Sequence, residues 1–150
     1  MDFIINFWIF TIFSLFICVM DIKHKIIPDV FVFLCLILMI LCKLFFFKIF
    51  MVFINLICGL LCALIFLLAR KICKKRLGLG DVKYALCVGF ISKPFYFSQA
   101  IFFSAMLGLI CFFFIKLLRL KCKSIPFAPF IFLGTLIHMG ISKNSPLAIF

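Results

Sequence analysis

Residues 49–69 read IFMVFINLICGLLCALIFLLA, an apolar run with one Asn and no charged residue. As a helix rising 1.5 Å per residue, a stretch of this length crosses a hydrocarbon layer of about 30 Å. It has no polar face of the kind that a surface helix of a soluble protein turns to water. Working outward, similar runs occur at 3–20, 30–42, 95–115 and 125–141, with a shorter one at 84–91. The 30–42 run is extended by Pro28 at its start or by tilt. The 84–91 run is too short to span alone, and is either a tilted short helix or the inner part of a longer bent element. The expectation is an all-α polytopic membrane bundle of about six transmembrane helices, a single integral membrane domain over residues 1–150. The whole chain agrees: 69% of its 150 residues are hydrophobic and 13% charged, with a mean hydropathy of +1.45. That balance excludes an ordinary cytosolic globule, a disordered tail and a disulfide scaffold. Run 3–20 carries Asp2 where a signal peptide has positive charge and lacks a small-x-small cleavage site, so it is read as a permanent first helix.

Sixteen Lys and Arg stand against four acidic residues, for a net charge of +12. The positive residues sit in short clusters between apolar runs, with no basic groove or arm, so nucleic acid is not the expected partner. Their sidedness is informative. Lys23, Lys25, Arg70, Lys71, Lys74, Lys75, Arg76, Lys83, Lys116, Arg119, Lys121 and Lys123 fall on one side of the alternating topology, and Lys43, Lys48, Lys93 and Lys143 on the other. This twelve-to-four split puts loops one, three and five in the cytoplasm and both termini outside the cell membrane. Anionic lipid is the natural partner of the basic face. The nine Cys form no CxxC pair and no metal-ligand spacing, so they are read as packing residues, and no metal or other cofactor is expected.

The chain has no Glu, and its only Asp residues are Asp2, Asp21, Asp29 and Asp81. Asp21 closes the first span. Asp81 follows Gly78-Leu79-Gly80 and opens the fourth. Carboxyls at membrane helix ends are costly and so are functional candidates. Packing the first helix against the fourth brings this pair together on the cytoplasmic side. Two carboxyls in a low-dielectric site share one proton: the ionised one can take a proton from water, and the protonated one can polarise a carbonyl. This is general acid–base hydrolysis of a peptide bond without metal or covalent nucleophile. Such a pair titrates as a unit, so the sequence does not assign acid and base. Gly78 and Gly80 allow unusual torsions and close approach of another chain, where a substrate strand could dock.

Plainer readings stand beside these. The Gly-Leu-Gly-Asp stretch is also a turn with an Asp N-cap, Asp21 a counter-charge for Lys23 or Lys25, and Asp29 an N-cap of the second helix. His24 reads as solvated, and His138 as a helix–helix hydrogen-bonding group. There is no nucleophile elbow, P-loop, HExxH or Ser–His arrangement.

Three stretches carry a family likeness. Asp21-Ile22-Lys23-His24-Lys25-Ile26-Ile27-Pro28-Asp29 resembles the first aspartate motif of the type IV prepilin peptidases. Gly78-Leu79-Gly80-Asp81-Val82-Lys83 resembles their GxGD motif, and Ile125-Pro126-Phe127-Ala128-Pro129-Phe130 their late I-P-F-G-P-F segment. The motifs occur in family order from residue 21 to about residue 134. The resemblance implies a membrane aspartic endopeptidase with Asp21 and Asp81 as the catalytic pair, and Gly78, Gly80, Lys83, Pro28, Asp29, Pro126 and Pro129 as substrate-binding or supporting residues. It implies pilin-like precursors with short basic leaders as substrates, cut on the cytoplasmic side. Asp29 stands where Asn is commoner, and Ala128 where Gly is usual. The chain starts directly in its first span and has no CxxC, so it resembles the compact members without the N-terminal domain. Peptidase activity without methyl transfer is expected. Other classes fit less of the pattern: a broader GxGD protease cutting within a helix, a proton-coupled transporter with the two aspartates as carriers, or an inactive membrane scaffold. Transporter sites lie nearer the midplane and between related halves, and no half-repeat is present.

Overall fold

A computed structural model describes residues 2–46, 49–72, 77–92, 97–118 and 126–144. Lys48, Lys74, Lys75, Arg76, Lys93, Arg119, Lys121, Lys123 and Ile125 lie outside the described residues, as do the side chains of Asp2 and Lys143. The described residues form six α-helices: α1 Asp2–His24, α2 Asp29–Phe46, α3 Ile49–Ile72, α4 Leu79–Ile91, α5 Phe97–Leu117 and α6 Ala128–Asn144. The protein is a helical membrane bundle. Ile4–His24 and Ile49–Ile72 are long and apolar enough to cross a bilayer by themselves. Exposed apolar stripes, such as Val30, Phe33, Ile37 and Leu41 on α2 and Phe102, Leu109 and Phe113 on α5, give the outside the character of a lipid-facing surface.

Helix α4 is the exception. Its thirteen residues extend about 20 Å, short of the hydrocarbon thickness. It sits instead at the centre of the bundle, packed against all five other helices. Asp81, Val82, Tyr84, Ala85 and the whole stretch 87–91 are buried. Two glycines permit this. A Cβ on Gly89 would lie 2.7 Å from both the Cys58 carbonyl oxygen and the Cys62 Cβ, and one on Gly59 would lie 2.9 Å from the Leu86 carbonyl oxygen. The α3 and α4 backbones therefore touch, as small residues allow where lipid supplies no hydrophobic drive between helices. Gly134 does the same for α6 against Ser104 of α5. Both ends of α4 are tied: Arg70 Nε donates to the Leu77 carbonyl (3.0 Å), and Lys43 Nζ donates to the Phe90 carbonyl (3.0 Å). The Lys43 cation lies at the α4 C-terminus, where the helix dipole favours it.

The core joins α1, α4 and α6 beneath the ends that carry the candidate residues. Phe10 stacks on Tyr84 at 6.0 Å and meets Phe132 at 6.4 Å. Helix α1 runs one turn past the apolar run read from sequence, so Asp21 is still helical. It ends where Lys25 takes φ 55° and its N–H donates to the Asp21 carbonyl (2.9 Å), a left-handed cap. His138 is buried in α6 and its Nδ1 has no partner among the described residues, so the hydrogen bond expected of it is not observed at that nitrogen.

The α3–α4 contact yields a test. Gly89→Val overpacks it and should lower stability by about 1–3 kcal/mol. Gly140→Ala adds a methyl with nothing within 4 Å and should be neutral or slightly stabilising. Thermal unfolding in detergent micelles compares the two.

Candidate active site

Contacts between helix ends gather the C-termini of α1 and α3 and the N-termini of α2, α4 and α6 at one end of the bundle. There Asp21 and Asp81 line the same cleft, of about 220 Å³, with Lys25, Ile26, Ile27, Gly78, Leu79 and Gly80. Both aspartates are nearly buried, at 6% and 8% exposure, yet both face this opening. A larger groove along α5, at Leu109, Phe112 and Phe113, holds Lys116 and no carboxylate.

Helix α4 is capped by Gly78, with no side-chain cap. Asp81 is the third residue of the helix, not its N-cap as the plainer sequence reading had it. Its carboxylate folds back over Gly78, where a Cβ would lie 3.1 Å from Oδ2. Asp81 precedes the apolar run that starts at Tyr84. Burial, and then the nearby charge of Asp21, push its carboxyl up to about 6, with the Gly78 N–H acting the other way. The two acids thus interact across the cleft.

The glycines serve space, not torsion. Gly78 is ordinary extended backbone at φ −64° and ψ 146°, and no described glycine has a positive φ. A Cβ on Gly80 would lie 2.6 Å from the Ile27 Cβ. The close approach expected of a substrate strand is therefore occupied at Gly80 by the chain's own Ile26-Ile27 segment, which forms one wall of the cleft.

Asp21 is held from a third helix. The Ala128 backbone N–H, at the first residue of α6, donates to Asp21 Oδ2 at 3.0 Å, in the buried interior. Pro126 and Pro129 flank this point, and Phe127 begins the helix by accepting from the N–H groups of Phe130 (3.1 Å) and Ile131 (3.2 Å). Ala128 had no role in the sequence reading. The signal was present: prolines at the start of an apolar run mark a helix N-terminus, and the topology puts that end beside Asp21.

Pro28, Asp29, Lys83, Pro126 and Pro129 do not line the cleft. Asp29 lies in the first turn of α2, where its carboxylate pairs with Lys83 Nζ of α4 at 2.5 Å; the two side chains are 54% and 39% exposed. It lies within the first turn and is not the N-cap that the plainer sequence reading makes it. Exposed pairs of this kind contribute little stability, about 0–1 kcal/mol.

A model of the type IV leader peptidase family matches residues 8–113, a span that contains both aspartates and α4. The chain belongs to the type IV leader peptidase family. It matches no curated protein and no solved structure. The match makes this membrane protein a peptidase, and it ends before α6, so the Ala128 contact lies beyond the matched span.

The raised Asp81 carboxyl has a consequence for stability. Folding disfavours its ionised form, so the cost is absent below about pH 4 and complete above about pH 6. Asp81→Asn should leave stability nearly unchanged at pH 4 and raise it at pH 7.5, by at most about 3 kcal/mol. Thermal unfolding at the two pH values measures this.

Proposed function

We propose that the protein is an aspartic endopeptidase that removes the short basic leader of pilin-like precursors. The observation that carries this reading is one cleft lined by two buried aspartates from separate helices. In the reaction, the ionised carboxyl takes a proton from water while the water oxygen adds to the scissile carbonyl carbon. The protonated carboxyl gives its proton to the carbonyl oxygen, and a gem-diol forms. On collapse the first acid returns its proton to the departing amine nitrogen, the second takes one back from a gem-diol hydroxyl, and the C–N bond breaks. Water is consumed, a carboxylic acid and an amine are released, and both acids regain their starting states.

The Lys and Arg bias supports a cytoplasmic location for this end of the bundle, within the cell membrane. It also supports anionic lipid as a partner that holds both the basic face and a basic leader at the surface. The chain works as a single membrane domain. Gly78 and Gly80 keep the cleft compact, Pro126 and Pro129 set the start of α6, and the Lys83–Asp29 pair joins α4 to α2 beside the cleft. Because that pair is exposed, Lys83 can exchange Asp29 for an acidic group on the precursor.

A precursor with a basic leader, a Gly and then an apolar helix, co-expressed with the protein, tests the reading by mass spectrometry of its N-terminus. Asp21→Asn and Asp81→Asn should each lower cleavage at the leader boundary by about a hundredfold or more while membrane insertion persists. Cleavage that survives either substitution refutes the assignment.

A further inference from the structure

The two acids of the cleft are not equivalent. Asp21 Oδ2 accepts the Ala128 N–H, a first-turn amide that has no carbonyl partner within its own helix. The N-terminus of α6 therefore aims both a donor and the positive end of its dipole at Asp21, in a buried setting where each counts for more than in water. Asp81 also lies in a helix first turn with the Gly78 N–H of its own cap beside it, but among the described residues no amide of another helix reaches its carboxylate, which instead meets the like charge of Asp21. We infer that the Ala128 amide holds Asp21 as the ionised member of the pair, so that Asp21 is the base that activates water and Asp81 is the acid that carries the proton. The inference rests on the proposed hydrolytic role of the pair and assigns each member its part; Ala128 is a positioning residue.

The other charged and titratable groups around Asp21 do not overturn this. On α1, Cys18 lies one turn before it. Lys23 and His24 are exposed, and Lys25 lines the cleft. From α2, Asp29 is engaged by Lys83 of α4. From α4, Asp81 is the group that faces it. From α6, the opening residues Ala128, Pro129, Phe130 and Ile131 carry no titratable side chain. Lys25 favours negative charge in the cleft generally, whereas the Ala128 amide donates to Asp21.

The test exploits the absence of Glu. With only four aspartates, aspartate labelled with ¹³C at Cγ gives a carboxyl spectrum in lipid nanodiscs that single Asp→Asn variants assign. At pH 6 the Asp81 resonance should carry the protonated population and the Asp21 resonance that of a carboxylate. Ala128→Pro removes the N–H and puts the ring Cδ where it pointed, so Asp21 loses the bond and moves off, while proline itself suits the first position of a helix. It should shift the ratio of protonated Asp81 to protonated Asp21 about tenfold toward Asp21, the effect of about one backbone N–H on a carboxylate. Ala128→Gly keeps the N–H and should retain the wild-type ratio. Should Ala128→Pro fail to fold, the location of the proton in the wild-type spectrum still decides. A proton found on Asp21, or a ratio unmoved in a folded Ala128→Pro protein, overturns the inference. The spectrum does not depend on cleavage: a reversed order with both Asn variants inactive swaps the two roles and leaves the peptidase reading intact.

Discussion

A helix of thirteen residues cannot satisfy a bilayer by itself, and the placement of α4 follows from that constraint. Its backbone ends would lie at hydrocarbon depth if it faced lipid, where unmet polar groups cost several kcal/mol each. The bundle therefore encloses it, with α3 pressed against it at Gly59 and Gly89, Lys43 meeting the Phe90 carbonyl at its C-terminal end, and Arg70 holding the Leu77 carbonyl just before it. Once α4 is central, its first turn is surrounded by the ends of its neighbours. Asp81 can then be buried from lipid and still open onto a polar cleft.

The fold was largely legible because the bilayer simplifies it. Runs of apolar residues long enough to span have few alternatives to helix, and α1, α3 and α5 lie close to where their runs place them. The boundaries were less legible. The last turn of α1 carries Asp21, Ile22, Lys23 and His24, whose polarity reads as loop, yet the helix continues until Lys25 reverses the chain. The core position of α4 was legible only as a length anomaly, because the glycines that admit it act on residues far away in sequence.

The site divides in the same way. Asp21 and Asp81 could be found by elimination, since the chain has so few acids and two of them end or begin apolar runs. Their partners could not be found so. The Ile27 contact with Gly80, the Lys83 pair with Asp29 and the Ala128 amide on Asp21 all join residues more than fifty positions apart. Such contacts depend on helix rotation and depth, which periodicity does not fix when every face of a helix is apolar. The glycine pair shows the limit most clearly: its spacing announces a close approach, but what makes that approach is the polypeptide's own turn after α1.

The hydrogen bond on Asp21 spans 107 positions, and this has a temporal meaning during synthesis. The first acid emerges early, the second only after α1, α2 and α3, and the amide bonded to Asp21 only with α6. A half-made chain holds a carboxyl, then a pair of carboxyls, but never the asymmetric arrangement until α6 has docked. The contact on Asp21 therefore closes only after both carboxyls have been made.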